Sequence, residues 1–224
     1  MATSSAAMAP TQFLEDPLAF LPRSNVVEYR KGQTVYDQQQ PSLAVYLVIG
    51  GKVKVSRLAG DGRQVVLDIY RPDDLFGESA LLDAPPRYDQ AVAMEDTRLM
   101  SWTPLEIEAA MAKRPRLAMA LLQILVQRSG DLACRVESLS ADNIERRLAR
   151  SLLRLAERLG AQGQDGVVFL APLTHELLAQ YVGTSREIVT HYMSQFRRDK
   201  LLSYSRSGIA IDRTALTGRL HEAR

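Results

Sequence analysis

The chain has 224 residues, 46% hydrophobic and 24% charged, with a net charge of +2, which suits a globular protein of two domains and excludes a disordered or fibrous chain. A single cysteine, Cys134, excludes disulfide scaffolds, cysteine-ligated zinc and four-cysteine iron–sulfur clusters within one chain, and no run reaches membrane-spanning length. Residues 1–10 are rich in Ala and Ser without a basic start or an apolar core, so they read as a loose tail and not a signal peptide; the expected compartment is the cytoplasm. His175, His191 and His221 lack metal-ligand spacing, no metal site is expected, and Cys134 reads as a packing residue.

From residue 25 to residue 103 the pattern is β. Candidate strands are 25–29, 33–36, 44–49, 52–58, 64–70, 90–93 and 98–102, divided by Lys31-Gly32, Gly50-Gly51 and Gly60-Asp61-Gly62. Short, closely spaced strands of this kind predict a jelly roll or sandwich. Gly60-Asp61-Gly62 lies between two strands and precedes no helix, so it reads as a hairpin turn and not a phosphate loop.

After Pro104 the period becomes helical, over 105–112 and then, beyond Pro115, in one long segment to about residue 139. Leu121, Leu125, Arg128, Leu132, Val136 and Leu139 follow at spacings of three and four, an apolar seam interrupted once by a polar residue. So long a helix outreaches one small barrel, and a parallel copy from a second subunit is the economical partner. Asp142 and Asn143 break this helix and cap the next, 144–159, whose five arginines read as a solvated basic side.

A loop at 160–166 and a strand at 167–170 lead to the stretch from Thr174 to Lys200. Thr174 is the expected N-cap of a helix carrying Leu177, Leu178 and Val182 at helical spacing, and Gly183 its left-handed end. Thr184-Ser185-Arg186-Glu187 has the form of a capping box, so a second helix starts at once. At about 100° per residue, Arg186, Glu187, Thr190, His191 and Ser194 share one polar arc while Ile188, Val189, Tyr192, Met193 and Phe196 fill the other side. Two helices joined by a small-residue turn, with Ala179 where they must approach, predict a DNA-binding helix-turn-helix. The expected DNA-binding residues are Thr174, Thr184, Ser185, Arg186, Glu187, Thr190, His191, Arg197, Arg198 and Lys200, with Arg186 and Glu187 reaching base edges in the major groove and Arg197, Arg198 and Lys200 holding phosphates. A hairpin of 202–205 and 209–211 around Ser207-Gly208 then makes the second domain a winged helix. Charge follows the same division: 15 basic against 17 acidic residues up to Ser140, and 13 against 9 from Ala141 onward.

In this order, a β-barrel, a long helix and a winged helix-turn-helix resemble the cyclic-AMP receptor protein / fumarate-nitrate regulator (CRP/FNR) superfamily of bacterial transcription factors. The local matches are Tyr46-Leu47-Val48-Ile49-Gly50-Gly51-Lys52-Val53-Lys54-Val55, Phe76-Gly77-Glu78-Ser79-Ala80-Leu81 and Gly183-Thr184-Ser185-Arg186-Glu187. The resemblance implies an α+β chain: a tail at 1–15, a jelly-roll effector-sensing domain at 16–112, a dimerisation helix at 113–141 and a winged helix-turn-helix domain at 142–224. It further implies a homodimer on two-fold-symmetric double-stranded DNA, RNA polymerase as a partner, no membrane and no enzymatic activity.

By the same resemblance, Gly77, Glu78, Ser79 and Ala80 form a phosphate-binding cassette, Glu78 taking a ribose hydroxyl and Arg87 the phosphate of a cyclic nucleotide. The alternative is an internal Glu78–Arg87 ion pair. Tyr88 where a small hydroxyl residue belongs, Asp89 beside it, and Leu132 and Ala133 where a Thr-Ser pair meets the purine all favour that alternative. The expected cofactor requirement is therefore none, a cyclic nucleotide being a possible ligand, and the cysteines of an iron–sulfur sensor are missing. His191 stands where the family's third base reader is usually Arg. A reading from another class is a cyclic-nucleotide-binding regulatory module acting through protein contacts.

Overall fold

The computed structural model describes residues 17–82 and 86–222; the expected tail lies outside them. Eight strands build the first domain: β1 (Val26–Tyr29), β2 (Thr34–Tyr36), β3 (Val45–Gly50), β4 (Val53–Leu58), β5 (Gln64–Tyr70), β6 (Leu75–Phe76), β7 (Gln90–Ala93) and β8 (Thr97–Trp102). They form two antiparallel four-stranded sheets, ordered β1-β8-β3-β6 and β2-β7-β4-β5, the jelly roll that the strand spacing predicts. Period-2 burial in β4 and β7 turns Val53, Val55, Ala91 and Ala93 inward. Gly62, at φ +83°, closes the β4–β5 hairpin, so Gly60-Asp61-Gly62 is the turn that its place between two strands implies.

Two cores result. One lies between the sheets, around Tyr36, Val48, Val53, Tyr70, Phe76 and Leu99. The other lies where Val45, Leu47, Leu75 and Trp102 meet α1 (Pro104–Lys113) and the start of α2 (Arg116–Ala141), through Ile107 and Leu117. At 26 residues α2 is about 39 Å long.

The second domain contains α3 (Ile144–Leu159), β9 (Ala161–Gln162), β10 (Val167–Leu170), α4 (His175–Val182), α5 (Arg186–Arg198), β11 (Leu202–Ser205), β12 (Gly208–Asp212) and α6 (Arg213–Glu222). Its sheet runs β11-β12-β10-β9. Asn143 caps α3 by accepting from the Arg146 N–H at 2.9 Å, as the sequence implies. The strands β6 and β9 and the helix α6 are additions to the expected elements, and β9 lies inside the segment expected to be a loop.

A bulge in β5 joins the domains. Val55 pairs with Asp68 and Ser56 with Val66, so Leu67 is the extra residue. With one residue bulged out, Val66 and Ile69 reach the same face although three apart. Both are buried in the core of the second domain, among Leu148, Leu178, Tyr181 and Val182. Tyr70, next in line, stacks instead on Phe76 inside the barrel at 5.3 Å.

Three sequence expectations need correction. On α2, Leu121 packs on the barrel core and Arg128 is turned into the barrel, so neither belongs to an outward seam. The exposed apolar residues are Met119 (54%), Leu122 (54%), Val126 (70%) and Val136 (61%), with Leu132 and Leu139 beside them and Leu125 (39%) at the edge toward the barrel. Together with Ser129, Ala133 and Ser140 they make an unbroken three-four spacing from Met119. Secondly, the arginines of α3 are not a solvated side. Arg150 pairs with Asp142 at 2.8 Å, Arg154 donates to the Asp131 carbonyl at 3.0 Å, and Arg158 pairs with Asp68 and, at 3.5 Å, with Asp74. Thirdly, Cys134 is exposed rather than packed. Among the described residues, no helix is long and apolar enough to cross a membrane, and no cluster of potential metal ligands occurs.

Candidate nucleic-acid interface and effector pocket

The two helices of the expected motif meet through small and apolar side chains. Thr174 caps α4 by accepting from the Leu177 N–H at 3.1 Å. Gly183 ends it at φ +77°, and the N–H groups of Gly183 and Thr184 both donate to the Ala179 carbonyl. Ala179, Val182, Val189, Met193 and Phe196 are buried where α4 and α5 cross. The N-cap of α5 is Ser185, whose hydroxyl accepts from the Ile188 N–H at 3.4 Å. The capping box expected from Thr184 to Glu187 is therefore not formed, because Thr184 is consumed by the turn.

Arg186, Glu187, Thr190 and His191 are exposed along one face of α5 and Ser194 is half-buried, the arc that helical spacing requires. The backbone N–H of Glu187 and the Ser185 hydroxyl hold the Glu187 carboxyl below its usual range. It is therefore an ionised acceptor at the N-terminus of the helix, with Arg186 beside it as a donor fork. Arg197, Arg198 and Lys200 are exposed at the other end, and Arg197 lies over the Tyr204 ring on β11 at 5.1 Å. His175 Nδ1 lies 2.8 Å from Thr190 Oγ1, and its ring meets Tyr204 edge-on at 5.5 Å. Burial, with Arg186 nearby, holds the His175 pKa below the usual imidazole value. Such a surface offers paired donors and acceptors to base edges and cations to phosphates.

In the barrel, Arg87 is 1% exposed and stacks on Tyr36 at 3.9 Å. Its Nη1 donates to the Gly77 carbonyl and Ser79 Oγ, both at 3.2 Å, and its Nη2 to the Ala44 carbonyl at 2.7 Å. Buried Nε has no hydrogen-bond partner among the described residues. Gly77 is required here twice over: its φ is +80°, and a Cβ would lie 3.0 Å from Arg87 Nη1. Glu78 opens a one-turn 3-10 helix, Glu78–Leu81, with Ala80 buried beneath it.

The expected Glu78–Arg87 ion pair does not occur. Glu78 faces α2 and pairs with Arg128 at 3.0 Å, and Arg128 lies over Tyr70 at 4.9 Å and donates to the Leu75 carbonyl. A cavity of about 20 Å³ between Leu75, Glu78, Leu121, Ile124 and Arg128 marks this junction. Tyr88 is on the surface. It is 57% exposed, with Arg57 over its ring at 5.6 Å. Asp89 lies close to Arg87 and Tyr36, and burial raises its pKa despite Arg87. Leu132 and Ala133 stand on the exposed face of α2. The parts that sequence reasoning missed are Arg128 and the aromatic column of Tyr70, Phe76, Tyr46 and Tyr36. One aromatic on each of the four strands β2, β3, β5 and β6 was the available signal.

Comparison with known proteins places both halves. Residues 26–114 match the cyclic nucleotide-binding domain family, and residues 146–218 the Crp-like helix-turn-helix domain. A CRP-like cAMP-activated global transcriptional regulator of Mycobacterium tuberculosis is 34% identical over 170 residues, 76% of each chain. This chain belongs to the CRP/FNR family. It is a DNA-binding transcription regulator, as the winged helix-turn-helix requires. Among other CRP/FNR relatives, the global nitrogen regulator of Synechococcus elongatus is 29% identical over 189 residues, covering 83% of this chain and 85% of its own. A CRP/FNR-family regulator from Thermus thermophilus superposes with a TM-score of 0.72 at 27% identity, covering 88% of this chain and 98% of the other. FixK2 from Bradyrhizobium japonicum shares the fold at a TM-score of 0.75 and 24% identity, over 88% and 97% of the two chains.

Proposed function

We propose that two copies of this chain, joined along the exposed face of α2, place two α5 helices in successive major grooves of a two-fold-symmetric DNA site and regulate transcription from the cytoplasm by contact with RNA polymerase. The observation that carries this reading is the exposed row Arg186, Glu187, Thr190 and His191 on a helix whose opposite face is buried in the domain core. Arg186 reads guanine O6 and N7, Glu187 accepts from cytosine N4, and Arg197, Arg198 and Lys200 neutralise phosphates. His191 takes the third reading position. The outward row from Met119 to Ser140 has the three-four spacing of a parallel two-helix seam. No catalytic role is assigned to any residue.

The barrel's ligand, where it takes one, is anionic. Arg87, buried with a free Nε, suits a phosphate such as that of cyclic AMP, the activator named for the mycobacterial relative. When bound, that phosphate would take Arg87 from its internal acceptors, and a ribose hydroxyl would compete with Arg128 for Glu78. Both residues already have protein partners, so the nucleotide gains little by binding, and the recognition row is exposed without it. DNA binding therefore proceeds without added cyclic nucleotide.

Selection of duplexes from a random library, alone and with cyclic AMP or cyclic GMP, tests this reading. Enrichment of a symmetric site under all three conditions supports it. Enrichment only with a nucleotide would overturn the effector-independent part, and no enriched sequence would overturn the recognition part.

A further inference from the structure

The hydroxyl of Thr190 makes two hydrogen bonds inside the protein, giving its one proton and using one of its two lone pairs. Thr190 Oγ1 donates its one proton to the Arg186 carbonyl at 2.8 Å, since a carbonyl cannot donate in return. The contact to His175 Nδ1, also 2.8 Å, must then be donated by the imidazole, which fixes an Nδ1–H. The His175 ring is itself held between helices and wing by its edge-on contact with Tyr204. Cβ of Thr190 thus has its oxygen turned back against α5 and α4. Because the residue is exposed, the arm left to meet a partner is the methyl group. Thr190 also lies one turn beyond Arg186 on the same face of α5.

We infer that Thr190 reads the 5-methyl group of a thymine in each half-site through its own methyl, and that His175 is the positioning residue that holds the hydroxyl away from the bases. A methyl at a fixed place in the major groove selects thymine by apolar contact, where a free hydroxyl would accept any base with a donor or acceptor. The inference rests on α5 lying in the major groove.

The test replaces the thymines of the selected symmetric duplex one at a time, in both halves, by deoxyuridine, which lacks only that methyl. The unaltered protein should lose about fourfold affinity per half-site at one position, the scale of one buried methylene. Thr190→Val keeps the methyl and should keep that difference; Thr190→Ser lacks it and should bind the two duplexes alike. His175→Ala removes one of the two bonds that hold the hydroxyl back, leaving only the Arg186 carbonyl, and should shrink the difference. A purely structural strap between α4 and α5 would change overall affinity and leave the thymine–uracil ratio untouched. Equal binding of all substituted duplexes by the unaltered protein, or an undiminished ratio in Thr190→Ser, overturns the inference. If the unaltered protein shows no sequence preference at all, the groove reading itself fails, and this inference with it.

Discussion

Arg158, near the end of α3 in the DNA-binding domain, is ion-paired with Asp68 of the barrel strand β5. The pair belongs to a clasp. Arg135 of α2 donates to the carbonyls of Leu67, Val66 at 3.0 Å and Tyr181 at 3.2 Å, and lies over the Tyr181 ring at 4.6 Å. Beneath these charges Val66 and Ile69 are buried in the core of the DNA-binding domain. The next residue, Tyr70, is under Arg128 in the proposed effector pocket. One strand therefore touches the pocket with one side chain and the DNA-binding domain with its neighbour.

Loss of Ile69 should uncouple the two domains. Ile69→Ala removes a side chain 1% exposed, for which a cost of about 2–5 kcal/mol is expected. Calorimetry should show one melting transition in the unaltered protein and two in the variant. A single, merely lowered transition would mean that the domains unfold together for some other reason.

Val126→Glu tests the proposed dimer face. Val126 is 70% exposed in the single chain, so the substitution should leave its thermal stability nearly unchanged while burying a charge in a seam between two copies. Sedimentation is expected to show monomers at micromolar concentration, and DNA affinity to fall because each chain then holds one half-site. A variant that remained dimeric would place the interface elsewhere.

Acidification should weaken the DNA-binding domain through His175. Burial and the neighbouring Arg186 place its folded pKa below the ordinary imidazole value, so the unfolded chain binds the proton more readily. The stability it contributes is complete above the unfolded pKa of about 6.5 and is lost as pH falls from there through the folded pKa. Chemical denaturation at pH 7.5 and 5.5 should show a larger loss for the unaltered protein than for His175→Gln. An NMR titration placing the His175 midpoint at or above the ordinary imidazole value of about 6.5 would contradict this.

Much of the architecture is legible in the sequence, because the strands of the jelly roll are short runs, several of them set off by Gly-containing turns such as Lys31-Gly32, Gly50-Gly51 and Gly60-Asp61-Gly62, and each long helix has an apolar period. Two-residue strands such as β6, Leu75–Phe76, are too short to show a period, and among the described side chains of α6 only Leu216 is fully buried. The polar face of α5 is readable because a single buried face fixes the rest. On α2 that logic fails: it has one apolar face for its own barrel and another pointing outward, and spacing alone cannot assign Leu121 to the first and Val126 to the second. The roles of Arg128, Arg135 and Arg158 are hidden from the sequence because their partners, Glu78, Leu67 and Asp68, lie 50 to 90 positions away in the chain.

The central claim, that the exposed row of α5 reads base sequence, is tested most directly by Arg186→Ala. Its affinity should be measured on the selected symmetric duplex, on that duplex with the guanine pair exchanged in both halves, and on random DNA. A loss of about 1–3 kcal/mol per half-site is expected on the selected duplex, with little further loss on the exchanged one and nearly unchanged binding to random DNA. Equal losses on all three duplexes would contradict it, since Arg186 would then be a phosphate contact and carry no sequence information.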